Sequence, residues 1–217
     1  MILAETLPLQ LSAETTSRWQ EARQATETVR REIRERADKN FLKVLKAFQE
    51  LQLSEAVLAG TTGYGYDDGA REGVDQLFAS VFGCPAGAAR LQWISGTHAM
   101  ACALRGNLKA GQTLLAATGA PYDTLLPVIG HPEAGPGSLA DLGVSYREIP
   151  LKEGFPDTER VIEALDDTVG MVFLQRSRGY TWRPSFSVKV LGDLITAIRK
   201  KVGSRVVVLV DNCYGEM

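Results

Sequence analysis

A carboxylate stands at the end of the most continuous apolar run in the chain. Val206 to Val210 are all aliphatic, which is typical of a strand covered on both faces inside a parallel sheet, and Asp211 follows directly. A side chain at the carboxyl end of such a strand faces the crevice where open α/β sheets bind ligands. Asp211 either caps the next loop or pairs with a cofactor ring nitrogen and keeps that nitrogen protonated.

A turn of small residues resembles an anion site. Leu91 to Ile94 is predicted to be a strand, and it leads through Ser95, Gly96 and Thr97 into a helix-forming stretch. Unpaired backbone N–H groups and the positive end of the helix dipole would face a phosphate there. Ordinary N-capping by Ser95 or Thr97 explains the same pattern. No Gly-Lys-Ser/Thr follows, so the turn is not a P-loop.

Tyr122 follows another predicted strand, Gln112 to Thr118. Pro121 is placed to start a helix, which would put Tyr122 in the first turn at the carboxyl edge of the sheet. A flat aromatic side chain at that edge could stack on a cofactor ring, and the simpler alternative is a surface tyrosine.

An arginine-rich loop follows the predicted strand Gly170 to Leu174. It contains three arginines, a serine and two aromatic residues, namely Arg176, Ser177, Arg178, Tyr180, Trp182 and Arg183. Arginines interleaved with aromatics occur in proteins that bind single-stranded nucleic acid. The net charge of -2 and the position at a strand end favour a small anion instead.

The stretch from Leu58 to Gly73 is too rich in glycine for a regular element. Its Tyr64, Tyr66 and Arg71 could reach an anion through hydroxyl and guanidinium groups, although a glycine-rich loop is by itself more often a turn. The sequence Gly63-Tyr64-Gly65 has no preceding strand and no third glycine. A Rossmann oxidoreductase is therefore disfavoured.

Strands that alternate with helices predict an α/β fold with a parallel sheet. Further elements are expected at Val144 to Leu151, Asp157 to Leu165 and Ser187 to Val202. Ahead of them, apolar positions recur every three or four residues from Ser12 to Leu51, which predicts a long helix with a break near Asp38 to Asn40. That helix would pack either on a neighbouring subunit or on its own domain.

Composition limits the class of protein. The 217 residues suffice for one sizeable core or for most of the main domain of a larger enzyme. Three scattered cysteines and the lack of a basic-then-apolar leader or long apolar run predict a cytoplasmic protein without a membrane segment. The histidines and cysteines do not fall at metal-ligand spacing, so no metal site is expected.

Five blocks in chain order resemble one family. They are Thr62-Gly63-Tyr64-Gly65-Tyr66-Asp67, Ser95-Gly96-Thr97-His98-Ala99, Pro121-Tyr122-Asp123-Thr124-Leu125, Gln175-Arg176-Ser177-Arg178-Gly179-Tyr180 and Val210-Asp211-Asn212-Cys213-Tyr214-Gly215-Glu216. They are similar to the aluminium resistance or methionine gamma-lyase-like proteins, relatives of the cystathionine lyases among the fold type I enzymes that use pyridoxal phosphate (PLP). The resemblance implies an N-terminal helical segment at 1–55 and an incomplete PLP-binding large domain at 56–217, without the C-terminal small domain.

The resemblance also implies roles for single residues. Ser95, Gly96 and Thr97 would bind the cofactor phosphate, Tyr122 would stack on the pyridine ring, and Asp211 would bond its nitrogen. The segment from Gln175 to Ser177 would line the edge of the cofactor. Tyr64 or Tyr66, together with Arg71, would reach the phosphate site of a neighbouring subunit, so a homo-oligomer is expected. The implied reaction is carbon-sulfur cleavage of a sulfur amino acid.

One part of that chemistry is missing from the sequence. In the family, the Schiff-base lysine lies beyond the block that contains Asp211, and no lysine here occupies that place. Without that amine there is no general base at the substrate Cα, and we expect the chain as given to be inactive alone. A non-catalytic remnant or partner-binding fragment of such an enzyme is the alternative.

Overall fold

The computed structural model describes residues 11–63 and 68–215. The chain divides into two compact units, Met1–Arg90 and Leu91–Glu216. The first unit is helical, and the second contains the sheet. The role predicted for residues 56–90 as part of the cofactor-binding domain remains a prediction.

The described part of the first unit consists of helices. They are α1 (Ala13–Ala25), α2 (Glu27–Glu50), α3 (Glu55–Leu58) and α4 (Gly69–Phe82). The long helix is interrupted at Thr26, so the break predicted near Asp38 to Asn40 is wrong. The Thr26 hydroxyl donates to the carbonyl of Ala22 at 2.7 Å, and this bond to the preceding turn competes with a straight continuation. Helices α2 and α4 pack together.

Both ends of α4 are capped. Asp68 accepts hydrogen bonds from the N–H groups of Ala70 and Arg71, and Gly83 ends the helix in the left-handed conformation, with φ 63°. The Asp75 carboxylate forms a bidentate ion pair with Arg90, with N–O distances of 2.5 and 2.7 Å. The same carboxylate accepts from the Ala89 N–H at 2.8 Å and so ties the following loop to the helix.

The second unit is an α/β sandwich around a parallel sheet. Its elements are α5 (Gly96–Asn107), β1 (Thr113–Ala116), α6 (Leu126–Ile129), β2 (Ser145–Glu148), α7 (Thr158–Glu163), β3 (Val169–Gln175), α8 (Val188–Val202) and β4 (Val207–Asp211). The four strands lie in the order β2-β1-β3-β4, and all three pairings are parallel. The predicted α/β class with a parallel sheet is confirmed.

The core of this unit consists of two apolar clusters, one for each set of alternating β3 side chains. Met171 and Phe173 join a cluster with Leu104 of α5, whereas Val172 and Leu174 join a cluster that includes residues of α7 and α8. All seven residues of β3 are buried. The strand is thus covered on both faces, as a central strand of a parallel sheet should be.

Three local predictions are corrected. Leu91 to Ile94 is not a strand, since its backbone pairs with none of the described strands, and the side chains of Leu91 and Ile94 are 97% and 87% exposed. Strand β4 has β3 as its one neighbour among the described strands and is only partly covered, contrary to the expected burial of Val206 to Val210. The helix expected at Pro121 begins at Leu126 instead.

None of the helices in the described part is both long and apolar enough to cross a membrane.

Candidate functional site

Asp211 lies where the sequence predicted, at the carboxyl end of β4. It is the last residue of the strand, and its side chain is buried. One carboxylate oxygen, Oδ1, accepts from the N–H of Cys213 at 3.0 Å, and the backbone carbonyl accepts from the N–H of Arg176 at 3.0 Å. The carboxylate is therefore held in place by its own loop, as the capping interpretation requires. Within the described part of the chain no hydrogen bond reaches Oδ2, which is left for a ligand donor.

The first turn of α5 forms a second part of the site. Ser95 is the N-cap, and its hydroxyl accepts from the His98 N–H at 3.1 Å. The capping interpretation of Ser95 is thus correct, and a phosphate role for its side chain remains a prediction. The hydroxyl of Thr97 lies 3.2 Å from the hydroxyl of Tyr122 and 3.3 Å from that of Thr124. Thr97 therefore connects the helix terminus to the loop after β1.

Tyr122 connects the helix terminus to the strand end. Burial raises the pKa of its phenol, and the negative charges of Asp211 and Cys213 raise it further, while the hydrogen bond with Thr97 acts in the opposite direction. The influence of Asp211 on this pKa means that the carboxylate and the phenol share one electrostatic environment. The aromatic ring, the helix terminus and the carboxylate thus converge at the carboxyl edge of the sheet.

Gln175 is the residue that positions Tyr122, and sequence reasoning assigned it no such role. Its buried side-chain amide accepts from the Tyr122 N–H at 2.8 Å and donates to the Ser177 carbonyl at 3.1 Å. Its backbone N–H donates to the Thr118 hydroxyl at 2.8 Å. A polar residue at the end of the otherwise apolar β3 was the signal in the sequence, because a buried amide needs partners.

Arg176 connects the loops that follow β3 and β4. Its Nη1 donates to Oδ1 of Asn212 at 2.8 Å and to the carbonyl of Gly215 at 2.7 Å, and its Nε donates to the carbonyl of Phe186 at 3.1 Å. These bonds direct the chain that leaves Asp211. Arg176 therefore has a structural role here, rather than the anion-binding role that the sequence allowed.

The roles of the other predicted site residues remain predictions. Ser177 follows β3, and its carbonyl accepts from Gln175 and Arg183; its contact with a cofactor remains a prediction. Arg71 lies in the first turn of α4, in the other unit. Tyr64 and Tyr66 lie outside the described residues. Across residues 11–63 and 68–215, no group of three or more histidine, cysteine or acidic side chains could hold a metal ion.

The converging groups have complementary chemistry. A helix of 12 residues presents its positive end at Gly96 and Thr97, the Tyr122 ring offers an apolar face, and Asp211 offers a negative charge. This set suits a flat ligand that carries an anionic group at one end and a protonated ring nitrogen at the other.

Comparisons with known proteins show what the whole chain is similar to. A family model described as methionine gamma-lyase matches residues 15–217. The Bacillus subtilis protein YnbB is 38% identical over 190 residues, which are 87% of this chain and 45% of that protein.

Two crystal structures share the fold. One, from Listeria innocua, is described as a candidate cystathionine beta-lyase involved in aluminum resistance; it is 39% identical, with a TM-score of 0.88, over 95% of this chain and 50% of that one. Another, from Clostridium novyi NT, is described as a carbon-sulfur lyase involved in aluminum resistance; it is 34% identical, with a TM-score of 0.86, over 95% and 49% of the two chains. The predicted fold is confirmed, and the chain spans about half the length of these relatives.

Proposed function

This chain belongs to the methionine gamma-lyase family, and we propose that it forms the cofactor-binding portion of a PLP-dependent carbon-sulfur lyase that acts on a sulfur amino acid. The observation that carries the proposal is the convergence of Thr97, Tyr122 and Asp211 at one edge of the sheet. The names of the two similar crystal structures, both lyases, support the reaction class.

The residues present fit the cofactor. Thr97 offers a hydroxyl at a helix N-terminus, where backbone N–H groups also point outward, and this is a favourable place for a phosphate. Tyr122 is half-buried. Its backbone N–H donates to the Gln175 amide and its phenolic hydroxyl donates to Thr97, so its ring has a fixed position for stacking. Asp211 has a buried carboxylate of the kind that pairs with a pyridinium nitrogen.

When bound, PLP supplies an electron sink for the negative charge that develops at the substrate Cα. Asp211 would hold a proton at the ring nitrogen and so keep that sink effective. The backbone of Gly96 and the hydroxyl of Thr97 would bind the phosphate and orient the group, and Tyr122 would cover one face of the ring and exclude water from it.

Among residues 91–215, no hydrogen bond or ion pair joins a lysine to Asp211, so we assign proton transfer at Cα to no lysine of this part. Lys189 pairs with Asp193 on α8, Lys200 and Lys201 lie in the last turn of that helix, and Lys152 follows β2, which β1 and β3 separate from β4. We therefore propose that the 217-residue chain alone binds the cofactor without cleaving a C–S bond.

We also propose that the protein is a homo-oligomer. Several large apolar side chains of α2 remain exposed, among them Val29, Ile33, Phe41 and Leu42. A second copy of the chain would cover them.

Equilibrium dialysis of the chain against PLP tests the proposal, with borohydride reduction and peptide mapping to separate site binding from random attachment to lysines. We expect binding that Asp211→Ala weakens and that the exposed-site control Asp193→Ala leaves unchanged. Release of thiol and keto acid from L-methionine and L-cystathionine is assayed in parallel and is expected to be absent. Failure of the chain to retain PLP, or equal retention by Asp211→Ala, would refute the proposal.

A further inference from the structure

Arg176 contacts both the end of β4 and the loop that follows it. It is the first residue after β3, and its backbone N–H donates to the Asp211 carbonyl at 3.0 Å. Its side chain donates through Nη1 to Oδ1 of Asn212 at 2.8 Å and to the carbonyl of Gly215 at 2.7 Å. A single arginine therefore holds the last residue of the strand and two residues of the turn beyond it.

The side chain of Arg176 is itself anchored to the core. Its Nε donates to the carbonyl of Phe186 at 3.1 Å, and the N–H of Phe186 donates back to the Arg176 carbonyl at 3.0 Å. Phe186 is buried in the apolar cluster that also contains Leu174 and Leu191. Because a guanidinium is planar and its N–H groups have fixed directions, the bond at Nε also restricts the direction of Nη1.

The turn that Arg176 holds determines the orientation of the Asp211 carboxylate. Cys213 lies between Asn212 and Gly215, and its N–H donates to Oδ1 of Asp211 at 3.0 Å. The side-chain amide of Asn212 also donates to the carbonyl of Gly215 at 3.0 Å, which closes the turn. With Oδ1 held by a backbone N–H of a closed turn, the carboxylate has little freedom to rotate, and the direction of Oδ2 is set.

The contact between Arg176 and Gly215 leaves no room for a side chain at residue 215. A Cβ added there would overlap Nη1 of Arg176 and would lie 2.9 Å from Oδ1 of Asn212. An alanine would therefore displace the guanidinium, which is the mobile end of a long side chain. This close approach offers a way to break the contact without changing the arginine.

We propose that Arg176 is a positioning residue for the ring nitrogen of the cofactor and that it acts through Asp211. By holding Asn212 and Gly215, it directs the Cys213 N–H to Oδ1 and leaves Oδ2 to accept from the protonated ring nitrogen. The inference rests on the proposed function, because it takes the ligand of Asp211 to be PLP. A charge-assisted hydrogen bond depends on direction, so a rotated carboxylate would bind the nitrogen less well.

Two phosphate ligands that differ at one ring position test the inference. Pyridoxine 5′-phosphate has the ring nitrogen but no aldehyde, so it cannot attach to lysines, and its deaza analogue has C–H in place of that nitrogen. Calorimetric titration of the 217-residue chain gives the ratio of the two affinities. We expect the wild type to bind the pyridine ligand roughly tenfold more tightly, and Asp211→Ala to bind both equally, because one charge-assisted hydrogen bond is lost.

Arg176→Lys should lower this ratio to about threefold or less. Lysine keeps the positive charge, so a lower ratio reports the loss of hydrogen-bond geometry rather than of charge. Gly215→Ala should have the same effect, because it displaces the guanidinium. In both variants the affinity for the deaza analogue should stay close to the wild-type value, since that ligand makes no bond to Asp211 through its ring.

Matched controls change an arginine and a glycine away from the end of β4. Arg205 donates to the carbonyls of Asp166 and Asp167 in the loop ahead of β3, and Arg205→Lys should leave the ratio unchanged. Gly192→Ala lies on α8, where an added Cβ would enter open space, and it should also leave the ratio unchanged.

Two results would overturn the inference. One is an unchanged ratio in Arg176→Lys and Gly215→Ala. The other is an equal loss of affinity for both ligands, which would mean that the arginine only stabilises the fold. Urea denaturation checks that each variant is folded, and Asn212→Ala, which removes the acceptor of Nη1, replaces a variant that is not.

The wild type and Asp211→Ala separate this inference from the proposed function. If these two proteins bind both ligands with the same ratio, the ring nitrogen does not pair with Asp211 and the proposed function fails. If the wild type prefers the pyridine ligand through Asp211, while Arg176→Lys and Gly215→Ala keep that preference, the positioning role fails and the proposed function stands.

Discussion

The phenolic hydroxyl of Tyr122 donates to the hydroxyl of Thr97 over 3.2 Å. The two residues are 25 positions apart, and the bond connects the first turn of α5 to the loop that leaves β1. It fixes the ring beside a helix terminus that favours anions. With Asp211 near enough to raise the phenol pKa, three groups of different chemistry act at one place.

The titration of Tyr122 should report this arrangement. Its pKa is expected above the ordinary 10.0 because of burial, and Asp211→Asn should lower it by removing a negative charge. Thr97→Val should raise it further, because the hydrogen bond that offsets burial is lost. Ultraviolet titration of each variant measures the ionisation of its tyrosines. The same titration after a further Tyr122→Phe substitution gives the signal without Tyr122, so the difference separates this phenol from Tyr146, whose pKa is also raised.

Stability should fall in alkali for the same reason. Above pH 10.0 the unfolded chain loses the Tyr122 proton while the folded chain keeps it, so the free energy of unfolding decreases as pH rises toward the raised pKa. Tyr122→Phe should reduce that decrease. A titration curve identical in the Asp211→Asn variant and the wild type would contradict the shared environment of the two groups.

Removal of the Gln175 amide should destabilise the second unit. In Gln175→Ala the Tyr122 N–H loses its partner and the Ser177 carbonyl keeps only its bond from Arg183, and the expected cost is about 1–3 kcal/mol in the free energy of unfolding. Urea denaturation measures it. Gln92→Ala, at an exposed position, is the matched control and should change stability by less than about 0.5 kcal/mol. Equal effects of the two substitutions would show that the amide does not position Tyr122.

The Asp75 carboxylate should contribute stability that depends on pH. The hydrogen bond from Arg90 is the main cause that lowers the pKa of Asp75 below the ordinary 3.8, and the hydrogen bond from the Ala89 N–H lowers it further. A lowered pKa stabilises the fold above pH 3.8, and the contribution is lost as pH falls through the lowered value. The Asp75→Asn variant should therefore have a lower free energy of unfolding than the wild type at neutral pH. On acidification, its free energy of unfolding should fall by less than that of the wild type.

Urea midpoints across an acidic pH series measure this dependence. Asp38→Asn, an exposed carboxylate on α2, is the control and should follow the wild type. Parallel curves for Asp75→Asn and the wild type would rule out the contribution of the ion pair.

The apolar side chains of Leu91 and Ile94 should promote self-association. Both are almost fully exposed, and exposed apolar groups of this size favour association. The double substitution Leu91→Lys and Ile94→Lys should raise the concentration at which light scattering increases, with little change in the urea midpoint. Val188→Lys, at another exposed position, should have a smaller effect. Unchanged scattering in the double variant would exclude these residues as the cause.

Local patterns predicted much of the second unit. Continuous apolar runs indicated β3 and β4, because a strand between two layers must be apolar throughout. Serine residues, whose short side chains favour the N-cap position, stand at the starts of α5 and α8, at Ser95 and Ser187. Asp211 was found for the same reason, since it ends such a run. These features depend on neighbours in sequence, so the sequence by itself determines them.

Only the tertiary structure decided the features that depend on distant partners. Gln175 holds Tyr122 across 53 residues, and this bond draws Pro121 and Tyr122 into a loop where the sequence predicted a helix. Leu91 to Ile94 has the composition of a strand but forms none, because a strand requires a neighbour to bond its backbone. Whether a group finds its partner depends on how the layers pack, which no short window of sequence contains.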